Sequence, residues 1–142
     1  MRSWAAILVI FLAAAGFAED AVHFRTVDIY VNAGGKPLAA YQVEFRAKRG
    51  NVKIVGIEGG ADAVFKEPPY YDAKAMQQER VIIAAFSTET EAKLPKEKTR
   101  VASIHVEVTG EENPDYAVTL TVAAGSNGNK ISAEATFAER KE

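Results

Sequence analysis

From Val27 to Ala47 the chain reads VDIYVNAGGKPLAAYQVEFRA, with apolar side chains at Val27, Ile29 and Val31 before a Gly-Gly-Lys-Pro turn and at Tyr41, Val43 and Phe45 after it. Alternation at period 2 predicts two strands that each bury one face. Asn32, Gly34, Gly35 and Pro37 supply the turn that joins them. The same alternation returns late in the chain, at Ala102, Ile104, Val106 and Val108, at Tyr116, Val118, Leu120 and Val122, and at Ile131, Ala133, Ala135 and Phe137. Polar Ser103, His105, Glu107 and Thr109 interleave with the first of these sets, so that sheet buries one side and shows the other to water.

Strand-like segments separated by turn signals fill most of the chain. After the opening pair come Asn51 to Ile57, Arg80 to Ser87, Thr99 to Thr109, Tyr116 to Ala123 and Lys130 to Ala138, with Val22 to Arg25 extending the first strand. Helix is scarce. Asp72 to Glu79 is the one candidate, with Asp72 as N-cap and at most two turns. Roughly seven to nine antiparallel strands with at most one short helix predict an all-β fold, a β-sandwich or jelly roll around one core. An immunoglobulin-like sandwich is the other arrangement of this kind.

Several segments, in order, resemble a cohesin-type domain, a β-sandwich whose superfamily includes some carbohydrate-binding modules. Leu38, Tyr41, Gln42, Val43 and Phe45 carry the opening of that resemblance, leading from the first strand into the second. "NVKIVGIEGG" is similar to the family's strand that ends in a glycine turn, "RVIIAAFST" to its central buried strand, and "KTRVASIHVEVTG" to the strand that follows a loop. "YAVTLTVAAGSNGNKISAEATF" resembles the closing pair, so the likeness covers Val27 to Phe137. It implies a sandwich fold and a protein-docking role. It carries over no partner-binding residue, because no family motif for that face maps onto this chain.

Residues 1–18, MRSWAAILVIFLAAAGFA, have the form of a secretory signal peptide: an early Arg2, an apolar run from Trp4 to Ala15, and small Gly16 and Ala18 before the cleavage point. The run is shorter than the roughly 20 residues needed to span a bilayer. The expectation is therefore an exported protein, periplasmic or extracellular, whose residues 19–142 form a single domain with no membrane span. That size supports one core without cross-links, in keeping with the lack of cysteine. A formal net charge of −2, evenly mixed along the chain, argues against nucleic acid or an anionic membrane as partner.

Residues suited to catalysis are sparse. Both histidines, His23 and His105, fall within alternating strand segments, where a structural role is the simpler reading. Ser87 and Ser103 lack a nucleophile-elbow pattern, and two distant histidines without cysteine are poor grounds for zinc. Glu111, Glu112, Asn113 and Asp115 cluster in a loop and offer the oxygen ligands calcium prefers, without the spacing of a calcium loop; a solvated acidic turn explains them more simply. No carboxylate sits in an apolar segment that would suit it to general-acid work. The chain is expected to be no enzyme and to need no cofactor or metal.

The best candidate site is the loop Phe65-Lys66-Glu67-Pro68-Pro69-Tyr70-Tyr71-Asp72. Its prolines stiffen the backbone, Tyr70 and Tyr71 offer flat faces with hydroxyl ends, and Asp72 adds an acceptor. The competing reading has Phe65 and the tyrosines covering one end of the sandwich while Asp72 caps the short helix. Lys93, Lys96, Lys98 and Arg100, interrupted by Pro95, read as a solvated connection rather than a binding patch. Two functions follow as expectations. The first is a non-catalytic module that binds an exported or envelope protein; the alternative is a carbohydrate-binding module that stacks polysaccharide on Tyr70 and Tyr71. The only tryptophan, Trp4, lies in the leader, which weakens the second.

Overall fold

The computed structural model describes residues 21–140. The leader assigned to residues 1–18 lies outside them. Among the described residues there are seven strands: β1 Val22–Asn32, β2 Ala40–Arg49, β3 Asn51–Gly59, β4 Arg80–Phe86, β5 Lys98–Thr109, β6 Asp115–Ala124 and β7 Glu134–Arg140. They form two antiparallel sheets, a four-stranded one in the order β3-β5-β1-β7 and a three-stranded one in the order β4-β2-β6. The fold is an all-β sandwich.

The alternating residues meet in the middle. Val27, Ile29 and Val31 of β1 and Ala102, Ile104, Val106 and Val108 of β5 line one wall of the core. Tyr41, Val43 and Phe45 of β2 with Val81 and Ile83 of β4 line the other. Phe65, from the loop after β3, completes the filling with its ring edge-on to Tyr41, centroids 5.3 Å apart.

Two expected hairpins turn out to be crossings between sheets. β1 belongs to the four-stranded sheet and β2 to the three-stranded one, so the Gly-Gly-Lys-Pro turn spans the end of the sandwich. That connection is itself anchored: Gly35 N–H donates to the Lys96 carbonyl, Leu38 N–H donates to the Pro95 carbonyl, and Ala33, Leu38 and Ala39 are buried. The closing pair behaves alike. Lys130 bridges to Ala124 beside β6, and Ile131 N–H donates to the Ala123 carbonyl; the chain then leaves that sheet and becomes β7 against β1. Alternation reveals which face a strand buries, and opposed walls satisfy it as well as paired neighbours do.

Arg80–Phe86, likened above to a central buried strand, is an edge strand. The helix expected over Asp72 to Glu79 shrinks to one 3-10 turn, Ala73–Ala75. Asp72 caps it as expected, its carboxylate accepting from Lys74 N–H at 2.9 Å. It stops because Gln77, at φ +69, and Gln78 pair with Ile54 at the edge of β3. Among the described residues the helical structure is limited to three such 3-10 turns.

Candidate docking face

β2 points Tyr41, Val43 and Phe45 into the core, so Ala40, Gln42, Glu44 and Arg46 face outward. Register then sets the rest of that outer face. Opposite Ala40, Gln42, Glu44 and Arg46 stand Phe86, Ala84, Ile82 and Arg80 of β4. On the other side Ala40 and Gln42 face Ala124 and Val122 of β6, and Glu44 faces Thr119. One end of the face is thus apolar, with large side chains at Phe86 and Val122 separated by alanines. The other end is charged, with Arg80 bonded to Glu44 at 2.6 Å and Arg46 directly across from Arg80. Those two guanidiniums hold the Glu44 carboxyl below the usual carboxylate range, the Arg80 hydrogen bond being the main cause.

Tyr70 extends the apolar end. Its backbone makes both hydrogen bonds of an antiparallel bridge with Ala84, donating at 2.7 Å and accepting at 3.0 Å. Its ring lies nearly parallel to that of Phe86, 11° apart with centroids 6.2 Å distant. Both rings are open to solvent, at 70% and 64% exposure. Tyr71 is less exposed and pairs with no other ring among the described residues. Asp72 spends one carboxylate oxygen on its cap and lines an open groove of about 590 Å3 with Lys74, Glu79, Arg80 and Ile82.

The proposed loop is therefore split in three. Phe65 goes into the core, Tyr70 goes onto the sheet face, and Asp72 turns the chain. The ring partner of Tyr70 that sequence reasoning missed is Phe86, and the other apolar residues it missed on this face are Ile82 and Val122. A signal existed: in RVIIAAF both parities carry large apolar residues, and an edge strand with one face in the core has no interior place for the second set.

The outer face of the four-stranded sheet is polar and internally bonded over its middle, with Val22 and Phe24 exposed at one end of β1. His105 Nδ1 lies 3.1 Å from Thr26 Oγ1 and its Nε2 3.0 Å from Glu58, which ties β5 to β1 and to β3. Asp28 accepts from Ser103 at 2.6 Å and from Arg140 at 2.8 Å, and Arg100 donates to Ser103. Burial alone raises the Asp28 pKa, but the hydrogen bonds from Arg140 and Ser103 and the charges of both arginines bring it below the ordinary value. In the acidic turn, Asp115 accepts from its neighbour's Tyr116 N–H and sits 3.5 Å from Lys48. Among the described residues no group of three His, Cys, Asp or Glu side chains is placed to hold a metal ion. The lysine-rich connection disperses its charges: Lys93 sits near Glu89, Lys98 over the Tyr30 ring.

Compared with protein-family models, curated proteins and solved structures, the chain matches none of them.

Proposed function

We propose that this chain is an exported, non-catalytic binding module, of the kind cohesins are, that docks a partner protein through the outer face of β4, β2 and β6. One observation carries the reading. Tyr70, Phe86, Ile82 and Val122 are displayed on one sheet face, at 70%, 64%, 39% and 44% exposure, with alanines, Gln42 and, opposite Ile82, Glu44 between them in register. An apolar cluster rimmed by charge has the makeup of a recognition surface. The aromatic members suit the centre of an interface, where large rigid side chains dominate binding energy. The leader-like residues 1–18 support export, which places the partner in the envelope or outside the cell.

Affinity capture from envelope and secreted fractions tests this. The unaltered chain should retain one protein at defined stoichiometry, and Phe86→Asp should release it while leaving the fold intact, since Phe86 is an exposed edge residue. Retention unchanged in Phe86→Asp would overturn the choice of face.

The near-parallel rings of Tyr70 and Phe86 favour a second reading, a platform on which a polysaccharide stacks. Here Tyr70 works with Phe86 rather than with Tyr71. Polysaccharide binding that survives Tyr70→Ala combined with Phe86→Ala would dismiss it.

A further inference from the structure

Antiparallel pairing assigns each residue of β4 to one side. Ser87 N–H donates to the Ala39 carbonyl at the end of β2, so odd-numbered residues face β2, whereas Ala84 exchanges both of its bonds with Tyr70 on the opposite side. Ile82 and Phe86 share the parity of Ala84, and their N–H and C=O groups point to the same outer edge. Continuing the Tyr70–Ala84 register would set Pro68 against Phe86 and Asp72 against Ile82. Neither pair forms. Proline has no N–H to give the Phe86 carbonyl, and Asp72 caps the 3-10 turn Ala73–Ala75, turning the chain aside.

The segment that follows also leaves this edge bare. Gln77 adopts a left-handed backbone, uncommon for a residue with a side chain, and it and Gln78 bond Ile54 of β3 instead. The result is the groove of about 590 Å3 walled by Asp72, Lys74, Ala75, Gln78 and Glu79 on one side and by Arg80 to Ile82 on the other. On the β4 side the N–H and C=O groups of Arg80 and Ile82 point to this outer edge, while those of Val81 point to β2.

We propose that this groove receives an extended peptide segment of the partner, which adds to the edge of β4 and pairs with Ile82. The inference rests on the docking reading above and names what the partner presents. A peptide is favoured over a second sheet edge because the 72–79 wall and the Tyr70 bridge leave only a short stretch of β4 open, too confined for another folded strand pair. Size points the same way. Strands of seven, ten and ten residues cover on the order of 450 Å2 of sheet face, well below the ~800 Å2 per partner of a stable interface. A partner seated on the face must reach further, and the groove adjoins Ile82 at its margin. Strand addition draws affinity from main-chain bonds and selectivity from alternate side chains; here those side chains would meet Ile82 and Arg80.

The test selects short peptides of alternating apolar and polar residues from a displayed library against the full chain, then measures the best of them. Amide exchange at Ile82 should slow on binding. Ile82→Pro, which removes the N–H, should weaken binding about tenfold or more relative to Ile82→Ala, which keeps it. Selection of no peptide tighter than about 1 mM, or binding without protection of Ile82, overturns the proposal. Phe86→Asp in the capture experiment judges the docking face separately, so a failure of the peptide proposal is told apart from a failure of the docking reading it rests on. Proline at an outward-facing edge position is tolerated by sheets, and the exchange measurement needs no variant.

Discussion

Gly60 shows how closely single residues are fitted. A Cβ there would overlap the Arg100 carbonyl oxygen and crowd the backbone of Val101, neither of which can swing away. Gly60 N–H meanwhile donates to the Phe65 carbonyl, closing the loop that delivers Phe65 to the core. Gly60→Ala should lower unfolding free energy by about 1–3 kcal/mol, read from the denaturant midpoint. Asp28 is fitted electrostatically. Its folded pKa lies below the unfolded value, so the unfolded chain takes up the proton first as pH falls; its stabilisation is complete above about pH 4 and fades as pH drops through the lower folded pKa. Asp28→Asn should cost about 1–3 kcal/mol near neutrality. The same change should flatten the acid limb of a stability-against-pH profile. A variant limb as steep as the original would remove Asp28 from that role.

Among the elements, β1, β2 and β5 each have a strand on both sides, whereas β7 is held only by β1 and shows most of its residues to solvent. Its cross-sheet tie is Phe137, edge-on to Tyr116 of β6 at 5.8 Å. Phe137→Ala should remove about 1–2 kcal/mol of that contact and its burial. Amide exchange should then accelerate in β7 well before β5; equal acceleration in both would show that β7 does not open separately. These strands also mark what the sequence made legible. Period-2 alternation located nearly every strand and most buried faces, because burial of one side acts on each residue in turn. It failed at Val122, expected on the buried face with Tyr116, Val118 and Leu120, because the extra residue Thr121 shifts the register against Gln42 and Val43 and turns Val122 outward. Pairing was not legible at Gly34–Gly35 or at Gly125–Asn129, since a turn that crosses the sandwich and one that closes a hairpin draw on the same residues. Asp72 could be read as a cap; the early end of its helix could not, because Gln77 and Gln78 answer to Ile54, far earlier in the chain.

Across the whole molecule the two outer faces differ in kind. On the middle of the four-stranded sheet, Asp28, Ser103, Arg100, Arg140, His105 and Glu58 bond to one another and leave little for a ligand to satisfy. Its exposed apolar side chains, Val22 and Phe24, sit at one end of β1, with no second aromatic ring stacked on them among the described residues. The three-stranded sheet leaves Tyr70, Phe86, Ile82 and Val122 in water. Its aromatic pair was half visible in advance: Tyr70 stood out beside two prolines, while its partner Phe86 was hidden in a run that reads as core. Exposed apolar area of this kind lowers solubility unless something covers it. Site-specific photocrosslinking in the native cell tests the central claim most directly, with a photoreactive residue replacing Gln42 at the middle of that face and, in a second variant, the exposed Thr136 on the opposite sheet, away from Phe24 in register. Position 42 should yield one discrete protein adduct and position 136 none. Equal labelling from both, or none from position 42 in a folded protein, would contradict the assignment of the β4-β2-β6 face as the docking surface.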